Sequence, residues 1–165
     1  MMGEKGDLLA AKEAGLTFLA FRSRSTWEVR KKLSEKGFDA GIIDEVIERF
    51  IELGYLNDRK FAAEWVTSVA GSKLWGKRRI TQGLIAKGIE RGMIDEAVGK
   101  LDETREAATA RIALQAWCRK RSGKVCTPLQ RRSAAYRHLV MKGFSSETAS
   151  VVVDEVLKER GLDEG

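Results

Sequence analysis

Leu33-Ser34-Glu35-Lys36-Gly37-Phe38 returns as Leu84-Ile85-Ala86-Lys87-Gly88-Ile89 and again as Leu139-Val140-Met141-Lys142-Gly143-Phe144. The three glycines stand 51 and then 55 residues apart. Eight places before each lies Val29, Ile80 or Ala135. Apolar residues return nine, ten and thirteen places after each: Val46, Ile47 and Phe50; Ala97, Val98 and Leu101; Val152, Val153 and Val156. The same spacing three times over marks an internal repeat. Its period is helical, since Ile42, Ile43, Val46, Ile47, Phe50 and Ile51 form one apolar stripe on a helix. The Lys-Gly step reads as a helix end. Glycine after the last turn takes the left-handed conformation, and the lysine faces the negative end of the helix dipole.

Helix starts agree with these ends. Ser25-Thr26-Trp27-Glu28 and Thr127-Pro128-Leu129-Gln130 have the capping-box pattern, the second with proline where its missing N–H costs nothing. Gly54-Tyr55-Leu56-Asn57 reads as a helix end followed by an N-cap, with Leu56 and Phe61 placed as a hydrophobic staple. One more apolar helix precedes each basic one, containing Leu16, Phe18 and Leu19; Phe61, Trp65 and Val66; or Ile112, Ala116 and Trp117. Only Pro128 interrupts a chain otherwise free of proline, and no window alternates as a strand would. The expectation is an all-α protein of three tandem degenerate three-helix repeats, elongated and without a sheet. The repeats span residues 8–57, 58–103 and 104–160.

The 165 residues carry a net charge of +6 and a pI near 9.4, which suits an anionic partner. Cys118 and Cys126 form neither a C-x-x-C pair nor a zinc set, so a disulfide is not expected, and a reducing cytoplasm fits. The first residues lack the order of a signal peptide, and no apolar run reaches membrane-spanning length, so no membrane partner is expected. His138, the single histidine, has no nucleophile arranged around it, and no phosphate-cradling G-x-x-x-x-G-K-[ST] loop exists. Neither catalysis nor a cofactor or metal is expected; the chain acts by binding, with a monomer as the default state.

Charge follows the repeat. Residues 22–36, 73–87 and 119–142 carry +4, +5 and +8, whereas 38–54, 89–103 and 144–165 carry −4, −3 and −4. Similarly oriented repeats would align the basic second helices into a ridge that attracts phosphate and releases counterions on contact. The competing reading is that neighbouring basic and acidic helices neutralise each other as solvated faces. The candidate contacts are Arg30, Lys31 and Lys32; Lys77, Arg78 and Arg79; and Arg131, Arg132 and Arg137. Trp27, Trp75 and Tyr136 lie beside them, either as core residues or as stacking platforms for bases.

The stretch Leu53-Gly54-Tyr55-Leu56-Asn57-Asp58-Arg59-Lys60-Phe61-Ala62, with Gly76-Lys77-Arg78-Arg79-Ile80 and Leu84-Ile85-Ala86-Lys87-Gly88-Ile89, resembles the RecX family of recombination regulators. Ser25 to Leu33 is similar to that family's first repeat and Tyr136 to Phe144 to its third. The likeness runs from Leu16 to Leu157. It implies a protein that binds the RecA filament on single-stranded DNA and modulates it, in the family usually by limiting its activity; duplex DNA is a separate candidate ligand. Two residues depart from the family pattern: Gly83 stands mid-helix where a longer polar residue is usual, and Asn57 replaces the commoner aspartate. The alternatives are a nucleic-acid-binding protein acting without a recombinase and a protein-interaction scaffold that docks through its acidic third helices.

Overall fold

A computed structural model describes the backbone of residues 3–121 and 127–161. Cys126 lies outside these residues. Among the described residues there are nine helices and no strand: α1 (Gly3–Leu19), α2 (Thr26–Glu35), α3 (Ala40–Glu52), α4 (Asp58–Lys73), α5 (Lys77–Ile85), α6 (Arg91–Gly99), α7 (Glu103–Lys120), α8 (Pro128–Met141) and α9 (Ser146–Glu159). None of these is long and apolar enough to cross a membrane. They form three-helix repeats without a sheet, as the spacing predicts. Two compact units result, one of residues 1–64 with 84–94, the other of residues 65–83 with 95–165.

In the first unit α1, α2 and α3 enclose Ala11, Val29, Leu33, Ile43, Val46, Ile47 and Phe50. These positions fall three or four apart on each helix, so one face of each turns inward. Ile51, at the edge of the stripe, is half exposed. A Cβ on Gly15 would fall 2.7 Å from the Phe50 ring, so glycine permits the close approach of α1 to α3. The predicted signals around α2 are all present. Ser25 Oγ accepts from the Glu28 amide and the Glu28 carboxylate accepts from the Ser25 amide. At the other end Gly37 has φ +87° and donates to Ser34 O, while Phe38 donates to Leu33 O. That pair of bonds is a Schellman motif.

The same motif recurs at Gly88 and at Gly143, with φ +71° and +91°. The Tyr55-Leu56-Asn57-Asp58 turn is structural at three of its four residues. Leu56 is buried, Asn57 Oδ1 accepts from the Lys60 amide, and Asp58 Oδ1 accepts from the Thr26 amide at 2.8 Å. Tyr55 is more than half exposed and makes no cap, its ring edge-on to Phe50.

In the second unit α7, α8 and α9 bury Leu114, Ala135, Leu139, Phe144, Val152, Val153 and Val156 about a common core. Two expectations change here. Helix α7 turns Ala110, Ala113, Leu114 and Cys118 inward and leaves Ile112 half exposed, because Ile112 is out of phase with that four-residue stripe. Helix α6 ends at Gly99, so Leu101 lies in the following turn. Mid-helix Gly83 also has a packing reason: a Cβ there would stand 2.3 Å from the Trp65 ring.

Candidate nucleic-acid interface

The Lys-Gly helix ends do more than terminate helices. In the first unit the Lys87 carbonyl accepts a 2.6 Å bond from Ser25 Oγ, and Lys87 Nζ donates to Glu28 Oε1 at 3.2 Å. A Cβ on Gly88 would lie 2.4 Å from Trp27 Cβ. The end of α5 therefore seats on the first turn of α2. In the second unit the relation repeats one step along: Gly76 N–H donates to Lys142 O at 2.9 Å and Arg78 N–H to Gly143 O at 3.1 Å. The end of α8 seats on the first turn of α5, bringing the negative end of one helix dipole to the positive end of the other. First-turn amides of α5 are consequently occupied, that of Lys77 by the Glu106 carboxylate and those of Arg78 and Arg79 by the Gly143 and Gly76 carbonyls, and phosphate must be met by side chains.

Glu28 is the hub of the first of these joints. Its carboxylate accepts from Arg22 at 2.7 Å, from the Ser25 amide and from Lys87, with Arg24 at 3.9 Å. Burial works to raise its pKa, but the bonds from Arg22, Ser25 and Lys87 outweigh that and hold it below the ordinary carboxylate value. Arg24, stacked on the Phe18 ring, keeps a buried Nε without a hydrogen-bond partner.

The nine candidate cations divide into two groups. Arg30 pairs with Asp44, Lys32 with Glu35, Lys77 with Glu106 and Arg132 with Asp154. Two of these pairs, Arg30–Asp44 and Arg132–Asp154, join a basic second helix to its acidic third helix, so part of the alternating charge is neutralised inside a repeat. Among the described residues Lys31, Arg78, Arg79, Arg131 and Arg137 have no carboxylate within ion-pair distance. Lys31 lies over the Trp27 ring at 5.1 Å. Arg79 lies over Trp75 at 4.6 Å, with Lys73 also over that ring and Trp65 edge-on to it. Trp75 is thereby filled by protein cations, and the Tyr136 ring packs against the core.

Sequence spacing marks Lys142 as a helix cap only. The structure makes it part of a cationic cluster in the second unit. Lys142 Nζ donates to Lys73 O at 2.8 Å and Arg79 Nη1 to Met141 O at 3.1 Å. Burial first, then the Arg79 and Lys120 charges, lower the Lys142 pKa below the usual lysine value. The same field acts on His138, which stacks on Trp117 at 5.6 Å. Burial, then Lys142 and Arg121, lower its pKa to about 4, so this imidazole is neutral near pH 7. No group of His, Cys, Asp and Glu among the described residues is arranged to hold a metal ion.

The family model described as RecX, first three-helix domain, matches residues 11–50, and that of the RecX second three-helix domain matches residues 57–98. The regulatory protein RecX of Streptomyces coelicolor is 32% identical, over 93% of this chain and 80% of that protein. The Bacillus subtilis regulatory protein RecX is 34% identical over 90% of this chain, which spans only 55% of its length. The crystal structure of RecX from Lactobacillus salivarius superposes with a TM-score of 0.79 over 92% of this chain and 97% of that one, at 21% identity. A second crystal structure of a regulatory protein RecX gives a TM-score of 0.81 over 90% of this chain and 73% of that one, at 23% identity. With two consecutive family domains matched in order and a relative at 32% identity matched over 80% of its own length, the chain belongs to the RecX family of regulatory proteins.

Proposed function

We propose that this chain is a non-catalytic regulator that binds the RecA recombinase filament on single-stranded DNA and restrains its activity. Its three repeats, over 8–57, 58–103 and 104–160, each contribute a basic second helix. The observation that carries the reading is the crowding of cations in the second unit, where Lys142 donates to Lys73 O beside Arg79, and burial first, then the Arg79 and Lys120 charges, lower its pKa. Cations placed so that they repel one another cost stability in isolation and gain when an anion joins them. Lys31, Arg78, Arg79, Arg131 and Arg137, none of them ion-paired among the described residues, extend that anion-binding set.

The test is binding to a preformed recombinase filament and to bare single-stranded DNA, with Arg78 and Arg79 both replaced by alanine. Lost phosphate contacts weaken binding and flatten the salt dependence by about 0.7 per contact on a single strand. If the variant keeps wild-type affinity and salt slope for both ligands, the basic helices are solvated faces and the reading fails. Tight, sequence-dependent duplex binding without recombinase supports the stand-alone alternative instead.

A further inference from the structure

The first and third repeats differ at one pair of corresponding positions. Counted from the Lys-Gly step, Arg30 of α2 corresponds to Tyr136 of α8, and Asp44 of α3 to Ser150 of α9. In the first repeat Arg30 and Asp44 join across the α2–α3 seam. In the third these two positions hold no charge, the Arg132–Asp154 pair lying elsewhere on the seam, and a groove of about 290 Å³ opens between α8 and α9. Helix α8 also begins one turn earlier relative to its glycine than α2 and α5 do. Pro128 precedes Gly143 by 15 residues, whereas Thr26 precedes Gly37, and Lys77 precedes Gly88, by 11. That extra turn brings Leu129, 73% exposed, to the groove wall.

We propose that the α8–α9 groove seats an apolar side chain carried on an acidic segment of the protein partner. The proposal rests on the regulator reading above, in which that partner is the recombinase. The floor is apolar, formed by Val153 and the body of Tyr136 with Leu129 beside it. The rim is cationic. Arg132 is already held by Asp154 at 2.7 Å, but among the described residues Arg137 makes a long bond to the Ser133 carbonyl and meets no carboxylate. A phosphate backbone would satisfy Arg137 while leaving the floor and Leu129 in water. An apolar side chain with a neighbouring carboxylate matches both parts, since buried apolar anchors ringed by polar contacts dominate protein docking.

The test closes the groove with the first repeat's own residues: Tyr136→Arg combined with Ser150→Asp, which leaves net charge unchanged. Leu129→Ser serves as a second variant whose exposed site does not threaten folding. Affinity is read on the recombinase filament and on bare single-stranded DNA. Both variants are expected to weaken filament binding by about tenfold, the effect of losing one modest anchor, with bare-strand affinity unchanged. Unchanged filament binding by both variants overturns the groove and leaves the regulator reading standing. Equal losses on filament and bare strand overturn it as well, since the groove then holds nucleic acid. If the wild-type chain does not bind the filament, the regulator reading falls and the groove proposal with it.

Discussion

Gly143 lies against Arg79 so closely that a Cβ on the glycine would stand 2.4 Å from the Arg79 amide nitrogen. The contact makes this glycine part of a joint between helices, whereas the corresponding Gly37 has nothing within 4 Å of its Cβ position. Both residues have φ near +90°. Gly37→Ala should cost about 1–2 kcal/mol, the strain of a left-handed alanine. Gly143→Ala adds a backbone collision and should cost roughly 2–5 kcal/mol. Urea unfolding of the two variants measures the difference; equal costs would mean that the joint yields freely.

Gly83 offers a test of sign. Helix propensity alone makes Gly83→Ala stabilising by about 1 kcal/mol. The Trp65 ring occupies the space a methyl needs, and overpacking of that kind costs about 1–3 kcal/mol. The net expectation is a lower melting temperature; a raised one would show that Trp65 swings aside at little cost.

Glu28 sets an acid limit on the first unit. Its folded pKa lies below the ordinary carboxylate value. Its contribution is therefore complete above the unfolded pKa and is lost as pH falls through the folded one. Glu28→Gln should lower stability at pH 7 by about 1–3 kcal/mol, because charge-assisted bonds are broken and Arg22 and Lys87 are left without their carboxylate. It should also flatten the acid limb of the pH–stability curve. An acid limb of unchanged slope would remove Glu28 as its source.

His138 is the chain's single histidine, so its imidazole proton resonances titrate without overlap. The folded protein should show a midpoint at about 4, well below the ordinary 6.5. The unfolded chain takes up this proton first as pH falls. The histidine therefore withdraws stability between pH 6.5 and about 4, and His138→Gln should remove that part of the decline. A midpoint near 6.5 would show that the imidazole is neither buried nor in the Lys142 and Arg121 field.

The repeat, its helix ends and its caps were legible because each depends on local chemistry. Ser25 with Glu28 and Thr127 with Gln130 close their capping boxes, and the three Lys-Gly steps adopt one left-handed turn. Ile112 misleads because the inward face of α7 is carried largely by small residues, Ala110 and Ala113, whose size gives the hydrophobic pattern little signal. The candidate site was legible as composition and only partly as geometry. Sequence spacing places Arg30 on the basic helix but does not show that Asp44 stands across the seam from it. Nor does it show Lys142, placed in the sequence as a cap, standing within the field of Arg79 and Lys120, because that proximity is set by tertiary contact between helices far apart in sequence.

The most direct test of the central claim is RecA-catalysed ATP hydrolysis on single-stranded DNA, titrated with this chain at several salt concentrations. A filament regulator slows hydrolysis at substoichiometric amounts, and raising salt weakens the effect as cation–phosphate contacts are screened. A rate unchanged across the titration at every salt concentration would contradict the account.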